Sequence, residues 1–196
     1  MKRFGVPSFL VLLLAACGLI SSPPIDNPFG LAGEQTTFTL GPSSAATGTA
    51  SATATFEDLT NLNLPLNPTG FTYNLAIQGG TLGGTGCPSP LPSSVQVKMD
   101  VTLTVSDNPA SGPRSTSATA NNVEFTLSAI GGGNYSVSNL SAGSLNLNVG
   151  QVLQIIQTGG SNTAVLQATI NTTSTPDLAG CTLTLTWGGG TGVLKF

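Results

Sequence analysis

The chain contains no histidine, and only 7% of its 196 residues are charged. Histidine is the usual base that activates a serine or cysteine nucleophile, and it is a frequent ligand of zinc and copper. Aromatic residues are also few, with one Trp and two Tyr, whereas modules that bind sugars usually present aromatic platforms. We therefore expect a protein that is not an enzyme and that has no metal site and no cofactor.

Basic residues are scarce as well. The sequence has five Lys and Arg against eight Asp and Glu, and two of the five are Lys2 and Arg3. The other three, Lys98, Arg114 and Lys195, are far apart in the sequence and form no basic run. Because nucleic-acid binding depends on clustered positive charge, we expect no nucleic-acid partner.

The chain begins with a short apolar leader. Lys2 and Arg3 precede an apolar stretch from Val6 to Leu14, which is far shorter than the roughly 20 residues of a membrane-spanning helix. The stretch ends in small residues followed by a cysteine, Leu14-Ala15-Ala16-Cys17. The leader resembles the signal peptide and lipobox of bacterial lipoproteins, and this resemblance is confined to residues 1–17.

The resemblance implies that residues 1–16 are a signal peptide that is removed, and that Cys17 becomes a lipidated N-terminus. Two or more acyl chains give stable anchoring, where one chain gives only marginal binding. The protein would then lie outside the cytoplasm in the bacterial cell envelope, with the membrane as its partner through the lipid. Gly18, in place of an aspartate, slightly favours the outer membrane or cell surface. The alternative is a conventionally secreted protein in which Cys17 is free or removed.

Residues 17–33 are predicted to be the lipidated N-terminus and a flexible tether. The segment Ser21–Gly33 contains three prolines and two glycines and has no periodic apolar pattern, which is typical of extended linkers. Residues 34–196 are then long enough for a single domain with its own core.

Most of this domain alternates apolar and polar residues, which is the period of a β-strand with one buried face. The longest run is Val95–Val105. Further runs are Phe71–Ile77, Val123–Ala129, Leu145–Val149 and Cys181–Trp187, with weaker ones at Glu34–Leu40, Thr49–Phe56, Asn134–Asn139, Thr163–Ile170 and Val193–Phe196. The glycine-rich stretch Gly79–Gly86 is predicted to be a flexible surface loop instead.

One segment departs from the alternation. Val152, Leu153, Ile155 and Ile156 have helical spacing and predict one short helix near residues 151–158. About ten one-sided strands joined by short connections predict an all-β fold, either a single antiparallel β-sandwich or a partly open β-barrel. Both architectures stay open at this point.

Cys87 and Cys181 are the two cysteines that follow Cys17. An exported protein meets an oxidising compartment, so we predict a disulfide bond between them, with two free thiols or a metal-binding pair as the alternatives. Cys181 is in phase with the apolar residues Leu183 and Leu185, so the bridge would attach the Gly/Pro-rich loop around Cys87 to the edge of the core.

Acidic residues provide only weak candidates for chemistry. Glu57 and Asp58 are adjacent and could act as a carboxylate pair or, with Asn61, as oxygen ligands of calcium. Asp107 and Asn108 form a second candidate on a turn. Neither group fits the EF-hand pattern, and we interpret both as ordinary solvated or turn-forming residues.

The leading hypothesis is a non-enzymatic lipoprotein of unknown molecular activity, which serves as a structural or protein-interaction domain and whose partners are other envelope proteins. The alternative is a carrier or binder of lipid or other apolar molecules. A curved sheet with an aliphatic interior and a helix at its mouth can hold an acyl chain.

Overall fold

The computed structural model describes residues 21–42, 46–55, 67–107, 112–156, 161–173 and 177–196. These residues form twelve strands and one helix: β1 (Ile25–Asp26), β2 (Gln35–Thr39), β3 (Ala46–Thr55), β4 (Gly70–Asn74), β5 (Ile77–Gly83), β6 (Ser94–Asp107), β7 (Arg114–Gly131), β8 (Asn134–Ser141), β9 (Ser144–Leu147), α1 (Val149–Ile156), β10 (Ser161–Thr173), β11 (Thr182–Trp187) and β12 (Thr191–Lys195).

The strands form two antiparallel sheets. The larger sheet has eight strands in the order β2-β11-β5-β8-β7-β6-β10-β3, and the smaller has four in the order β1-β12-β4-β9. The two edge strands of the larger sheet, β2 and β3, also approach each other, so this sheet curls into a nearly closed barrel. The predicted all-β antiparallel fold with a short helix is confirmed.

Three of the eight strands of the larger sheet continue into the smaller one. The strands β4 and β5, β11 and β12, and β1 and β2 follow each other directly along the chain. The order β1-β12-β4 in one sheet matches the order β2-β11-β5 in the other. Three neighbouring chain segments therefore pass from one sheet into the other, and the smaller sheet extends one side of the barrel.

The predicted strand Phe71–Ile77 is divided by this crossing. Its first part is β4 in the smaller sheet, and its last residue begins β5 in the larger one. The backbone N–H of Gly188 donates to the carbonyl of Ala76 at 2.8 Å and ties the break to the neighbouring connection. Alternation continues through the break because the side chains on both sides of it point into one core, so the sequence pattern contains no sign of the division.

The glycine-rich stretch that we predicted as a surface loop is largely a central strand, and that prediction is wrong for Gly79–Gly83. The strand β5 lies between β11 and β8. A Cβ on Gly79 would lie 2.9 Å from the carbonyl oxygen of Tyr135, and one on Gly80 would lie 3.1 Å from the side chain of Leu185. The glycines therefore permit close packing across the strand instead of marking a loop.

A single hydrophobic core joins the two sheets and the helix. In β6, the side chains of Val95, Val97, Met99, Val101, Leu103 and Val105 are all at most 2% exposed. The residues between them are intermediate or exposed. The longest alternating run of the sequence is thus a strand whose apolar face lies entirely in the core, as its pattern predicts.

The helix α1 connects the smaller sheet to β10 and packs against β4, β6 and β7, which are strands of both sheets. Val152 and Ile155 are buried. Asn148 caps the helix, because its Oδ1 accepts a hydrogen bond from the backbone N–H of Gln151 at 3.0 Å. The helix is confirmed, but it begins two residues earlier than predicted because of this cap.

Residues 157–160, which include the predicted end of the helix, lie outside the described residues. Over the part of the chain that the structure describes, no helix has both the length and the apolar character required to cross a membrane.

Candidate functional site

The first described residues are attached to the edge of the smaller sheet. Ser21 forms a β-bridge with Lys195. The backbone N–H of Ser22 donates to the carbonyl of Leu194 at 2.9 Å, and the N–H of Leu194 donates to the Ser22 Oγ at 3.0 Å. Further along, Ile25 and Asp26 pair with β12. We call residues 21–26 the N-terminal clamp.

The residues that follow the clamp enter the core. Phe29 and Leu31 are 0% exposed. The ring of Phe29 lies edge-on to the rings of Phe71 and Tyr73, with centroids 5.8 Å and 5.2 Å apart. Such aromatic contacts add to the free energy gained by burying the rings.

The prediction that residues 21–33 are a flexible tether is therefore wrong. The prolines and glycines of this segment interrupt regular secondary structure. Phe29 and Leu31 have no regular spacing, and they are buried through contacts with residues distant in the sequence. The folded domain begins by Ser21 and not at Glu34. Cys17, the predicted lipidation site, lies outside the described residues and stays a prediction.

The end of the smaller sheet beside Ser21 carries an exposed cation. Lys195 is exposed, and its carbonyl accepts a hydrogen bond from the backbone N–H of Thr69 at 2.7 Å. Lys98 pairs with Glu124 at 3.3 Å, and Arg114 pairs with Asp107 at 2.7 Å. Among the described residues, no carboxylate lies within ion-pair distance of Lys195. Lys98 lies on the solvent side of its strand, as predicted.

The predicted disulfide bond joins Cys87 and Cys181. It lies beside a close approach of two chain segments, since a Cβ on Gly86 would lie 2.8 Å from the Cα of Gly180. Cys181 is fully buried, whereas Cys87 is partly buried. The bond therefore attaches the loop between β5 and β6 to the start of β11.

A second candidate site lies inside the barrel, where β6, β7 and β10 meet. Arg114 Nη2 and Nε donate to the two carboxylate oxygens of Asp107 at 2.7 Å and 3.2 Å. The Asp107 side chain is only 4% exposed. Removing Arg114 would take two charge-assisted hydrogen bonds away from a buried carboxylate, which is destabilising.

Asn162 lies next to this ion pair. Thr163 pairs with Ser106, so Asn162 and Asp107 follow at neighbouring positions of adjacent strands, and both point inward. Asn162 is 1% exposed, and among the described residues neither its Oδ1 nor its Nδ2 has a hydrogen-bond partner. A buried amide without a partner costs free energy.

The calcium candidates are only partly described. Glu57, Asp58, Asn61 and Asn108 lie outside the described residues. Asp107 forms an ion pair with Arg114. Among the residues that the structure describes, no group of three or more Cys, Asp and Glu side chains comes close enough to hold a metal ion.

Among the described residues, three titrating groups have pKa values that depart clearly from the usual range. A hydrogen bond from the backbone N–H of Asn122, at 2.8 Å, lowers the pKa of Asp100, with smaller contributions from Asn171 and Lys98. Burial raises the pKa of Tyr73, whose hydroxyl donates to the carbonyl of Gly189 at 3.0 Å. Burial also raises the pKa of Tyr135, whose hydroxyl donates to the carbonyl of Pro92 at 2.7 Å. All three groups are hydrogen-bonded to the backbone of the fold.

Sequence reasoning did not single out Asn162, although a signal was present. Asn162 is in phase with Ala164, Leu166 and Ala168, just as Asp107 is in phase with Val105 and Leu103. A polar residue at an apolar phase of a strand indicates a polar group directed into the core. The meeting of these two residues depends on the pairing of β6 with β10, which the sequence does not show.

No protein-family model, curated protein or solved structure matches this chain. Any inference about its function therefore depends on its own residues.

Proposed function

We propose that this protein is a non-enzymatic lipoprotein of the bacterial cell envelope, held on a membrane by lipid attached to Cys17. The observation that carries the proposal is the sequence Leu14-Ala15-Ala16-Cys17 after a basic start and a short apolar stretch. The folded domain begins by Ser21, four residues after the proposed lipidation site at Cys17.

In this proposal the β-domain acts through contacts with other envelope proteins or as a structural component. The absence of histidine from the whole sequence supports a role without catalysis. The disulfide bond supports residence in an oxidising compartment such as the envelope. The outer membrane or cell surface is the slightly favoured location, because Gly18 follows the cysteine.

The anchor is tested by membrane fractionation of a Cys17→Ser variant. We expect the wild-type protein to sediment with membranes and Cys17→Ser to be released. Without the Cys17 thiol the lipid cannot be attached, so the acyl chains that hold the protein on the membrane are lost. The matched control is Cys87→Ser with Cys181→Ser, which should stay on the membrane. Mass spectrometry of the N-terminal peptide should show acyl mass on Cys17. Intact residues 1–16 without acyl mass, or Cys17→Ser that still sediments, would overturn the proposal.

A second candidate function is the carriage of an apolar molecule with a polar head, and one observation favours it. The amide of Asn162, which has no hydrogen-bond partner among the described residues, lies inside the barrel beside the aliphatic positions Val105 and Ala164. A ligand headgroup could satisfy this amide while its chain lies against the aliphatic wall.

Native mass spectrometry of the Cys17→Ser protein would distinguish the two functions. If the protein is a carrier, its measured mass should exceed the mass of the chain by that of a bound ligand. The additional change Asn162→Leu should leave much less ligand bound. Ala164→Ser, at the next inward position of β10, is the control and should retain the ligand. A ligand-free mass for the wild-type domain would contradict carriage and leave the display role.

A further inference from the structure

We propose that one end of the smaller sheet, formed by Ser21, Ser22, Thr69 and Lys195, lies against the lipid headgroups and holds the barrel at a fixed orientation. We call these four residues the membrane face. The inference rests on the proposed lipid anchor at Cys17, and it specifies which surface of the domain meets the membrane.

The first argument is the length of the chain between the anchor and the fold. Only Gly18, Leu19 and Ile20 separate Cys17 from Ser21. A fully extended chain advances by roughly 3.3–3.6 Å per residue, so the Cα atoms of Cys17 and Ser21 can be at most about 14 Å apart, whatever the conformation between them. Two of the three residues are apolar, which favours the membrane over water for this connection.

The second argument is that the clamp fixes the attachment point. Ser21 bridges to Lys195, and Ser22 forms two hydrogen bonds with Leu194. Beyond them, Phe29 and Leu31 are buried in the core. Detachment from β12 would therefore break these hydrogen bonds, and the buried Phe29 and Leu31 limit how far along the chain it can proceed.

The third argument is the chemistry of the surface at this end. Thr69 and Ser21 are exposed and uncharged, and Lys195 is an exposed cation without a carboxylate partner among the described residues. The strand β4, which Thr69 precedes, lies two strand spacings or about 10 Å from the clamp. A lysine and hydroxyl groups suit phosphate and glycerol groups of lipid heads.

The far end of the strand β5 lies away from the membrane face. The strand β5 continues from the end of the smaller sheet for seven residues, or about 23 Å, to Gly83. There the N–H of Leu82 donates to the carbonyl of Gly133 at 2.8 Å, in the turn after β7. Ile130, near this turn, is 70% exposed and is the largest apolar side chain that the described surface offers. It is therefore the strongest competing membrane contact.

The test compares reporters at these two places in the full-length lipidated protein. With Cys17 acylated and Cys87 bonded to Cys181, Thr69→Cys and Ile130→Cys each supply a single free thiol for a fluorophore. The labelled proteins are bound to vesicles of phosphatidylethanolamine and phosphatidylglycerol, with or without a lipid that carries a nitroxide quencher on its headgroup. We expect severalfold greater quenching at position 69 than at position 130.

A control variant lengthens the connection. An insertion of about twelve Gly and Ser residues after Ile20 makes the connection a flexible coil that no longer holds the domain at the surface. We expect this variant to float with the vesicles as the wild type does, but to lose most of the difference between the two positions.

The outcomes separate the inference from the proposed anchor. Protein that floats with vesicles and shows equal quenching, or greater quenching at position 130, overturns the membrane face and leaves the anchor intact. An insertion variant that keeps the full difference also overturns it, because the short connection would then not be the cause. Protein that does not float with the vesicles overturns the anchor and, with it, the inference.

Discussion

At the scale of single residues, the side chain of Trp187 depends on one acceptor. Its Nε1–H donates to the Thr36 Oγ1 at 2.7 Å, and both residues are 0% exposed. Thr36→Val keeps the shape but removes the acceptor. We expect it to lower the free energy of unfolding by about 1–3 kcal/mol, because a buried N–H without a partner costs that much. Urea denaturation measures the change.

The neighbouring threonine provides the control. Thr37 is exposed on the other face of β2 and contacts Thr184 Oγ1 at 3.1 Å. Thr37→Val should change the free energy of unfolding by no more than about 0.5 kcal/mol. Equal losses for the two variants would show that the Trp187 hydrogen bond does not stabilise the fold.

Asp100 should make stability depend on pH in the acidic range. Its carboxylate accepts the N–H of Asn122, a residue with φ of 56°, at an irregularity in the pairing of β6 with β7. Because this bond lowers the pKa of Asp100 in the folded state, the ionised form stabilises the fold at pH values above the unfolded pKa of about 4. That contribution is lost as the pH falls through the lower folded value.

The matched control is Asp100→Asn, which keeps an acceptor oxygen for Asn122 but does not titrate. Unfolding measured at a series of pH values should show that the wild type loses more stability than Asp100→Asn as the pH falls below about 4. Parallel curves for the two proteins would contradict the assignment.

At the scale of elements, the segment before β2 is part of the core. The ring of Phe29 is 0% exposed and contacts Phe71 and Tyr73. We expect Phe29→Ala to lower the free energy of unfolding by about 3–5 kcal/mol, because it removes a buried ring and leaves a cavity. Denaturant unfolding of the purified proteins measures the loss.

Pro24 lies in the same segment and is exposed, so it is the control. Pro24→Ala should change the free energy of unfolding by less than about 1 kcal/mol, through the unfolded chain alone. If Phe29→Ala costs no more than Pro24→Ala, the segment behaves as the tether that its composition predicts.

At the scale of the whole molecule, the disulfide bond spans half of the chain. Cys87 and Cys181 are 94 residues apart in the sequence. We expect Cys87→Ala with Cys181→Ala to lower the free energy of unfolding by about 4–5 kcal/mol, because the bond restricts the unfolded chain more as the closed loop grows. Wild-type protein treated with a reductant should lose a similar amount.

The remaining cysteine serves as the control for this prediction. Cys17→Ser leaves the bond in place and should unfold at the same denaturant concentration as the processed wild-type domain. A reduced wild type that is as stable as the oxidised protein would show that the bond contributes nothing to equilibrium stability.

Much of the fold could be predicted because alternation reports burial directly. The strand β6 has an uninterrupted apolar face, and the structure places all of that face in the core. The first part of β7 was missed, because its inward positions are Thr116, Ala118 and Ala120 and carry little apolar signal. The helix was found from its spacing, but its start depended on the cap by Asn148.

The candidate site could be predicted much less well. The disulfide partners Cys87 and Cys181 were predicted from cysteine chemistry and the compartment that the leader implies, whereas the lipidation of Cys17 stays a prediction. The membrane face that we propose could not be predicted from the sequence, because it requires knowing that Ser21 pairs with Lys195 at the far end of the chain. Asn162 and Asp107 come together only through the pairing of β10 with β6.

Strand character, one-sided burial and the helix could be predicted from the amino-acid pattern, because each depends on residues that are neighbours along the chain. Where the domain begins, how one alternating run is shared between two sheets, and which polar groups meet inside the barrel became clear from the three-dimensional fold. Those features arise from pairings between residues up to 174 positions apart, such as Ser21 with Lys195. Local periodicity contains no information about which strand lies next to which.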